Sequence, residues 1–168
     1  MARSCAIGQP WREPSARSVR LLTVQVLPRT ARVAALGRAM IEALREVCPP
    51  MTKVAFVVLA DTETREGLGR TVNAMIGTKE FKDAGDEVRL IFDGAATKWV
   101  GELAKPDHRY HELFEEVRDR VAGACGYCAQ AYGAEQDVHR EEIALLDEYE
   151  HHPSLRRLVA DGFQILTF

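Results

Sequence analysis

The chain has 168 residues and a formal net charge of −3 at pH 7. It contains no apolar stretch long enough to cross a membrane, which excludes a membrane-spanning helix from the expected fold. Residues 51–168 are acidic and have no basic patch laced with aromatic residues, so we expect no binding of nucleic acid by this part of the chain.

The charge changes sign at Met51. Residues 1–50 contain eight Arg and three Glu but no Lys or Asp, which gives them a net charge of +5, whereas residues 51–168 carry −8. We expect residues 1–50 to be an Arg-rich leader that is disordered, or upstream sequence before a true start at Met51. A transit peptide and a basic arm for anionic partners remain open for the leader. The working domain is predicted at residues 51–168.

Strand-like and helix-like patterns alternate along this domain. The nearly continuous apolar run KVAFVVLA predicts a central parallel strand that is covered on both faces. Apolar residues at helical spacing follow it, and Gly85 predicts the end of that helix. The predicted strands are 53–60, 87–92, 122–127, 143–146 and 163–168, and the predicted helices are 68–85, 110–121 and 153–160. This alternation predicts an α/β fold, a three-layer sandwich with a mostly parallel sheet of about five strands flanked by helices.

Three loops are expected to meet at one edge of this sheet. Ligands and chemistry in open parallel sheets gather outside the carboxyl ends of the strands. The loops are 61–67, 93–98 and the segment 123–133, which contains two cysteines. The first two loops contribute Arg65, Asp93 and Lys98 as supporting residues of the site.

Cys125 and Cys128 are the candidate catalytic residues. They lie three positions apart among small residues, so a substrate can reach either sulfur. Cys128 is predicted to begin a short helix, where unpaired backbone N–H groups favour a thiolate. A pKa about two units below the ordinary 8.5 needs more than a helix end supplies, so we expect a cation nearby, Lys98 first and Arg65 next. The opposing interpretation is a pair of buried, inert thiols.

From Met51 to Phe168 the chain resembles the DsrE/DsrF-like proteins, whose relatives include the TusD and YchN sulfur-relay subunits. The residues that carry the resemblance are the opening KVAFVVLAD, the run AGDEVRLIFDGA at 84–95 and the closing GFQILTF. Cys128, followed by small helix-forming residues and Gly133, completes it. The resemblance covers the whole predicted domain and none of the leader.

The resemblance implies small α/β subunits that assemble into rings or hexamers, in which one cysteine accepts sulfur as a persulfide and passes it on. Cys128 matches that cysteine, whereas Cys125 has no counterpart and is expected to be a resolving thiol. The implied function is that of a cytoplasmic sulfurtransferase-like carrier without a cofactor, whose partners are sulfur donor and acceptor proteins. Trp99, Tyr110 and Tyr132 are the candidate aromatic residues of the interface in a homo-oligomer.

Two other functions stay open. The same two thiols resemble a glutaredoxin-type dithiol, and in a non-catalytic oligomeric binding subunit they are merely buried. Zinc is disfavoured, because Cys5 and Cys48 lie in the leader without pair spacing, and because His151-His152 is interpreted as the flank of a helix. The absence of any sign of secretion favours a reducing compartment, in which a permanent disulfide is not expected.

Overall fold

The computed structural model describes residues 51–168, and the predictions about the leader lie outside the described residues. The strands are β1 (Lys53–Val58), β2 (Glu87–Phe92), β3 (Val121–Cys125), β4 (Leu145–Leu146) and β5 (Gln164–Thr167). The helices are α1 (Arg65–Asp83), α2 (Trp99–Leu103), α3 (His111–Val117), α4 (Gly126–Ala131), α5 (Glu135–Arg140) and α6 (Leu155–Ala160), with short 3₁₀ turns at Gly94–Lys98 and Arg118–Arg120. Among the described residues, no helix is both long and apolar enough to cross a membrane.

The five strands form one sheet, and every pairing in it is parallel. The strand order is β4-β3-β2-β1-β5, so β1 lies inside the sheet, between β2 and β5. Helices flank the sheet, which confirms the predicted α/β class and the predicted five-stranded parallel sheet. All five strands run the same way, so their carboxyl ends lie along one edge, and this edge positions the site described below.

The two faces of the sheet are covered unequally. Successive side chains of a strand point to opposite faces, and β1 therefore sends Phe56 into one hydrophobic cluster and Val57 into another. The larger cluster packs the sheet against α1, α2 and α3, and its largest members include Met75, Phe92, Trp99 and Phe114. The smaller cluster is covered by α6 and contains Leu158 and Phe163. This burial on both faces explains why the sequence of β1 is almost continuously apolar.

α1 begins at Arg65, three residues before the predicted start, and ends next to Gly85 as predicted. The Thr64 hydroxyl accepts a hydrogen bond from the Gly67 N–H at 2.9 Å and caps the first turn. At the other end Gly85 has φ +83°, and its N–H donates to the Lys82 carbonyl at 3.0 Å. Glycine adopts this left-handed conformation without a steric cost, which confirms Gly85 as the stop signal.

Three predicted elements are shorter in the structure than the sequence pattern suggested. The helix predicted at 110–121 ends at Val117, and a 3₁₀ turn leads from it into β3. The strand predicted at 122–127 ends at Cys125, because α4 begins at Gly126. The strand predicted at 143–146 is only Leu145–Leu146, which pair with the last two residues of β3. Boundaries of this kind depend on where a neighbouring strand offers hydrogen-bond partners, which a local pattern does not record.

The three candidate interface aromatics differ in exposure. Trp99 is buried, and its indole Nε1–H donates to the Ala60 carbonyl at 2.9 Å, so its assignment to an interface is wrong. Tyr110 is half-buried and packs against the larger cluster. Tyr132 is 49% exposed and keeps its place as a candidate contact residue. Periodicity predicts the buried stripe of a long helix, whereas Trp99 begins a helix of five residues, which is too short to show one.

Candidate functional site

Four side chains meet at the carboxyl edge of the sheet. Asp93 directly follows β2, Cys125 ends β3, Cys128 lies in α4 and His152 follows β4. One candidate ligand atom from each, whether a carboxylate oxygen, a thiol sulfur or an imidazole nitrogen, lies within 4.8 Å of the other three. The structure therefore brings together both predicted cysteines and Asp93. It adds His152, which the sequence pattern places at the flank of a helix.

The start of α4 directs its backbone N–H groups at Cys125. The helix begins at Gly126, so the prediction that Cys128 begins it is wrong, and Cys125 occupies the N-cap position. The Cys128 N–H donates to the Cys125 sulfur, with 3.4 Å between N and Sγ. Cys125 takes the N-cap position because β3 keeps the backbone extended through Ala124 and Cys125, where the strand pairs with β2 and β4. The capping sulfur is consequently that of Cys125.

His152 reaches Cys125 by way of a tight turn, with its Nδ1 3.1 Å from the Cys125 Sγ. The turn is closed by two backbone hydrogen bonds, from the Tyr149 N–H to the His152 carbonyl at 3.0 Å and in the reverse sense at 2.9 Å. Its two central residues, Glu150 and His151, have φ of 49° and 66°. Two consecutive positive φ angles define a turn in which Asn-Gly is the favoured sequence.

The same turn is fastened to the first residues of α4. The Tyr127 N–H donates to the His151 carbonyl at 2.9 Å, and the Cys125 sulfur lies 3.8 Å from that oxygen. The Tyr127 ring also packs on the His152 ring, with the centroids 5.0 Å apart. These contacts fix the imidazole beside the thiol, although 27 positions separate the two residues in the sequence.

We expect the double substitution Glu150→Asn/His151→Gly to raise the free energy of unfolding by about 1–2 kcal/mol. An L residue in the left-handed region costs roughly 1–2 kcal/mol, and the greater freedom of glycine in the unfolded chain offsets part of the gain. Urea denaturation of the variant and of the unchanged protein measures the difference. His151→Val is the opposite control and should destabilise the protein, because a β-branched residue tolerates positive φ poorly. Equal stability of all three proteins contradicts the proposed strain.

The pKa of each thiol is raised. Burial raises the pKa of Cys125 far above its ordinary value, more than the hydrogen bond from the Cys128 N–H lowers it. Burial also raises the pKa of Cys128, which is lowered in part by a hydrogen bond from the Cys125 thiol and by the Gly94 N–H. The Asp93 carboxylate beside both sulfurs adds to the increase. Burial therefore favours the protonated form of both thiols.

The predicted cations do not lower the pKa of these thiols. The Lys98 Nζ lies 2.5 Å from the Asp61 carboxylate and 3.8 Å from that of Glu63, so it already has anionic partners. The hydrogen bond to Asp61 raises the pKa of Lys98 and keeps the amine charged. Arg65 lines a separate cleft next to Trp99. Burial of both sulfurs, together with the Asp93 carboxylate beside them, explains why the expectation of a lowered thiol pKa was wrong.

No protein-family model matches the chain. It is 25% identical over 115 residues to the uncharacterized protein MJ0733 of Methanocaldococcus jannaschii, in an alignment that covers 68% of this chain and 93% of that protein. Among solved structures it is similar to BT1422 from Bacteroides thetaiotaomicron, a conserved protein of unknown function. That similarity has a TM-score of 0.48 and 17% sequence identity, and covers 68% of this chain and 94% of the other.

Proposed function

We propose that the protein is a sulfurtransferase-like sulfur carrier, which accepts a sulfur atom on Cys128 as a persulfide and passes it to a partner protein. One observation carries this proposal: two free thiols lie side by side at the carboxyl edge of a parallel sheet, with the imidazole Nδ1 of His152 3.1 Å from the inner sulfur. Ligands of open α/β sheets bind at this edge. A thiol beside a base is the arrangement that activates a sulfur nucleophile whose own pKa is too high.

The exposure of the two cysteine residues supports a different role for each. Cys125 is 0% exposed, and Cys128 is 9% exposed. A donor protein therefore meets Cys128 first. The Cys125 sulfur is within 4.8 Å of the Cys128 sulfur and 3.1 Å from the His152 Nδ1, a placement that suits a proton relay and a resolving thiol.

The transfer step needs no external oxidant or reductant. Cys128 attacks the outer sulfur of a donor persulfide, R–S–SH, and its proton moves through the Cys125 thiol to the Nδ1 of His152. The S–S bond of the donor breaks, an S–S bond forms at Cys128, and the donor leaves as a thiolate that takes the proton back from the imidazolium. The products are R–SH and Cys128–S–SH, so one sulfur atom has moved and no electrons are gained or lost overall.

Delivery to the partner repeats this exchange in the opposite direction. A partner thiol attacks the outer sulfur of Cys128–S–SH and leaves Cys128 as a free thiol. Without a partner, Cys125 attacks the sulfur of Cys128 instead, which gives a Cys125–Cys128 disulfide and releases H₂S. A cleft of about 250 Å³ borders the start of α4 on the His151 side, between Tyr127 and Leu145, and offers a place for the partner's peptide.

Dithiol exchange of the glutaredoxin type is less compatible with this geometry. That reaction needs an accessible thiol of low pKa at the start of the helix. Here the cysteine at that position, Cys125, is fully buried and has a raised pKa. The more accessible thiol lies inside the helix, which suits a carrier with a protected second thiol.

The direct test is the mass of the intact protein after incubation with a small persulfide donor and a chelator. We expect the folded protein to gain the mass of one sulfur atom, and dithiothreitol to remove it. Protein alkylated with iodoacetamide after unfolding and then refolded is the control, and should gain nothing. If the folded, unmodified protein gains no sulfur, the carrier function is wrong and the thiols are structural.

Alkylation of the thiols should depend on pH in the direction that their raised pKa values dictate. Because only the thiolate reacts, we expect iodoacetamide to modify Cys125 and Cys128 slowly at pH 7 in the folded protein that carries Cys5→Ser and Cys48→Ser. The rate should rise steeply only above the ordinary thiol pKa of about 8.5. The unfolded chain, whose thiols have ordinary pKa values, is the control and should react with its midpoint near pH 8.5. A midpoint below pH 8 in the folded protein contradicts the burial effect.

We also propose that the protein is a homo-oligomer in the reducing environment of the cytoplasm. Within residues 51–168, β5 pairs with β1 alone, which leaves its outer edge open to a second copy. Leu166 on this edge strand is 42% exposed. Persulfide chemistry further requires thiols that are kept reduced, as they are in the cytoplasm.

Light scattering at micromolar concentration is expected to give at least twice the mass of one chain. Leu166→Lys should shift the protein toward the monomer, because a charge on an edge strand opposes pairing between sheets. Ile76→Lys is the matched control, since Ile76 is 51% exposed but belongs to α1 and not to the edge strand, and should leave the mass unchanged. A monomeric mass for the unchanged protein contradicts the proposed assembly.

A further inference from the structure

The four side chains at the carboxyl edge are also a set of metal ligands. Cys125 and Cys128 offer two sulfurs, His152 a ring nitrogen and Asp93 a carboxylate oxygen. Thiolate and imidazole ligands together select zinc among the common divalent cations, and structural zinc sites take four protein ligands in a tetrahedron. We infer that Asp93, Cys125, Cys128 and His152 bind one Zn²⁺, and that the bound ion occupies Cys128, the thiol that otherwise accepts sulfur.

The distances are close to those that a tetrahedral ion requires. With zinc–sulfur bonds of about 2.3 Å, two ligand atoms on adjacent corners lie about 3.3–3.8 Å apart. The Cys125 Sγ and the His152 Nδ1 are 3.1 Å apart, and no pair of the four ligand atoms exceeds 4.8 Å. A movement of about 1 Å at the widest pair therefore completes the coordination. Side-chain rotation alone supplies such a movement.

The backbone around the site is arranged to support ligands of this kind. The Cys128 N–H donates to the Cys125 sulfur, and the Gly94 N–H donates to the Asp93 carboxylate at 2.7 Å. Hydrogen bonds to ligand atoms orient them and stabilise their charge when a metal is bound. The Tyr127 ring packs on the imidazole of His152 and holds its plane.

The sequence pattern alone disfavoured this site for a definite reason. Cys-x-x-Cys supplies only half of a zinc site, and neither Cys5 nor Cys48 has the spacing of a second pair. The other two ligands are Asp93, which follows β2, and His152, which ends the turn after β4. The parallel sheet brings both to the same edge as the cysteines. Four different chain positions thus contribute one ligand each.

Zinc binding and sulfur loading use the same sulfur atoms and therefore exclude one another. With four protein ligands the ion has no open position for a substrate, and its thiolates are committed to the metal. Sulfur loading on Cys128 needs the metal-free state. This inference goes beyond the proposed function, and either can fail without the other.

The test is a titration of the reduced, metal-free full chain with Co²⁺. The protein carries Cys5→Ser and Cys48→Ser, so that the thiols of the leader do not contribute. We expect the charge-transfer absorption of cobalt thiolates and the intense visible bands of tetrahedral Co²⁺, both saturating at one ion per chain, and both abolished by one equivalent of Zn²⁺. Failure to develop the thiolate absorption overturns the inference. Saturation at one ion per two chains also overturns it, because the four ligands then come from two chains.

Variants in the same background identify the ligands. Cys128→Ser and His152→Ala should each weaken Zn²⁺ binding at least about 100-fold, because loss of a direct ligand costs more than loss of its supporting contacts. Asp93→Asn keeps the shape of the side chain but removes its negative charge, and should weaken Zn²⁺ binding about 10-fold or more. His151→Asn is the matched control, because it alters the neighbouring histidine and tolerates the same backbone angle, and it should bind Zn²⁺ as tightly as the unchanged protein.

Thermal unfolding shows which variants are folded, so that loss of Zn²⁺ binding is not confused with loss of structure. Zn²⁺ should raise the melting temperature of the unchanged protein and of His151→Asn, but not that of folded His152→Ala. Unchanged Zn²⁺ affinity in both Cys128→Ser and His152→Ala overturns the inference. The persulfide mass test separates the two proposals. If sulfur loads but Co²⁺ does not bind, the carrier function stands and the metal site is wrong. If Co²⁺ binds but sulfur does not load, the metal site stands and the carrier function is wrong.

Discussion

Cys128→Ser is expected to abolish the gain of sulfur from a persulfide donor, while the variant folds normally. Serine replaces a side chain that is 9% exposed and whose contacts are with Cys125, Asp93 and the Gly94 backbone, so the cost in folding should be small. A hydroxyl does not form the S–S bond that holds the transferred atom. Intact mass, recorded with a chelator present, measures loading, and circular dichroism confirms folding.

Two further variants decide how the site works. Cys125→Ser should still load sulfur and should hold it longer, because no second thiol is left to form a disulfide with Cys128. His152→Ala should slow loading about 100-fold, the usual contribution of a positioned base. The double variant Cys5→Ser/Cys48→Ser is the matched control, and should load at the unchanged rate. If Cys125→Ser loses loading and Cys128→Ser keeps it, the two roles are reversed.

Gly123→Ala is expected to lower the free energy of unfolding by about 2–4 kcal/mol and to reduce sulfur loading. Gly123 has φ +156°, and a Cβ there would lie 2.6 Å from the Ala144 carbonyl oxygen and 2.7 Å from the Leu146 Cγ. Relief of these clashes requires β3 and β4 to separate, and overpacking together with backbone strain has about this cost. Because Cys125 follows two residues later, its sulfur moves with the strand. Urea denaturation and intact mass measure the two effects.

Gly133→Ala is the control that separates backbone strain from steric overlap as the cause of the lost stability. Gly133 has φ +71°, and no heavy atom lies within 4 Å of the Cβ position there, so only backbone strain of about 1 kcal/mol is expected. The difference between the two variants therefore measures the steric contact between β3 and β4. If both variants lose the same stability, the close approach at Gly123 has no energetic weight.

The sequence by itself determined the fold class and the main elements. The apolar run of β1, the helical spacing of α1 and the stop at Gly85 are local patterns, and each has a local physical cause in burial, periodicity or backbone freedom. Alternation of strands and helices then implied parallel strands with their carboxyl ends on one edge. For the same reason, the meeting of Asp93 with Cys125 and Cys128 could be anticipated from the chain order.

Other features of the site were decided by the tertiary structure. His152 reaches the Cys125 sulfur through a turn whose central residues, Glu150 and His151, give no turn signal, because the favoured Asn-Gly pair is absent. The direction of the thiol pKa shifts follows from burial, which depends on everything packed around the sulfurs. The charge of Lys98 is likewise taken up by Asp61, a partner 37 positions earlier in the chain. Contacts across such distances form only when the whole sheet is assembled. Local sequence patterns therefore identified the two thiols, but did not predict the direction of their pKa shifts or the imidazole beside them.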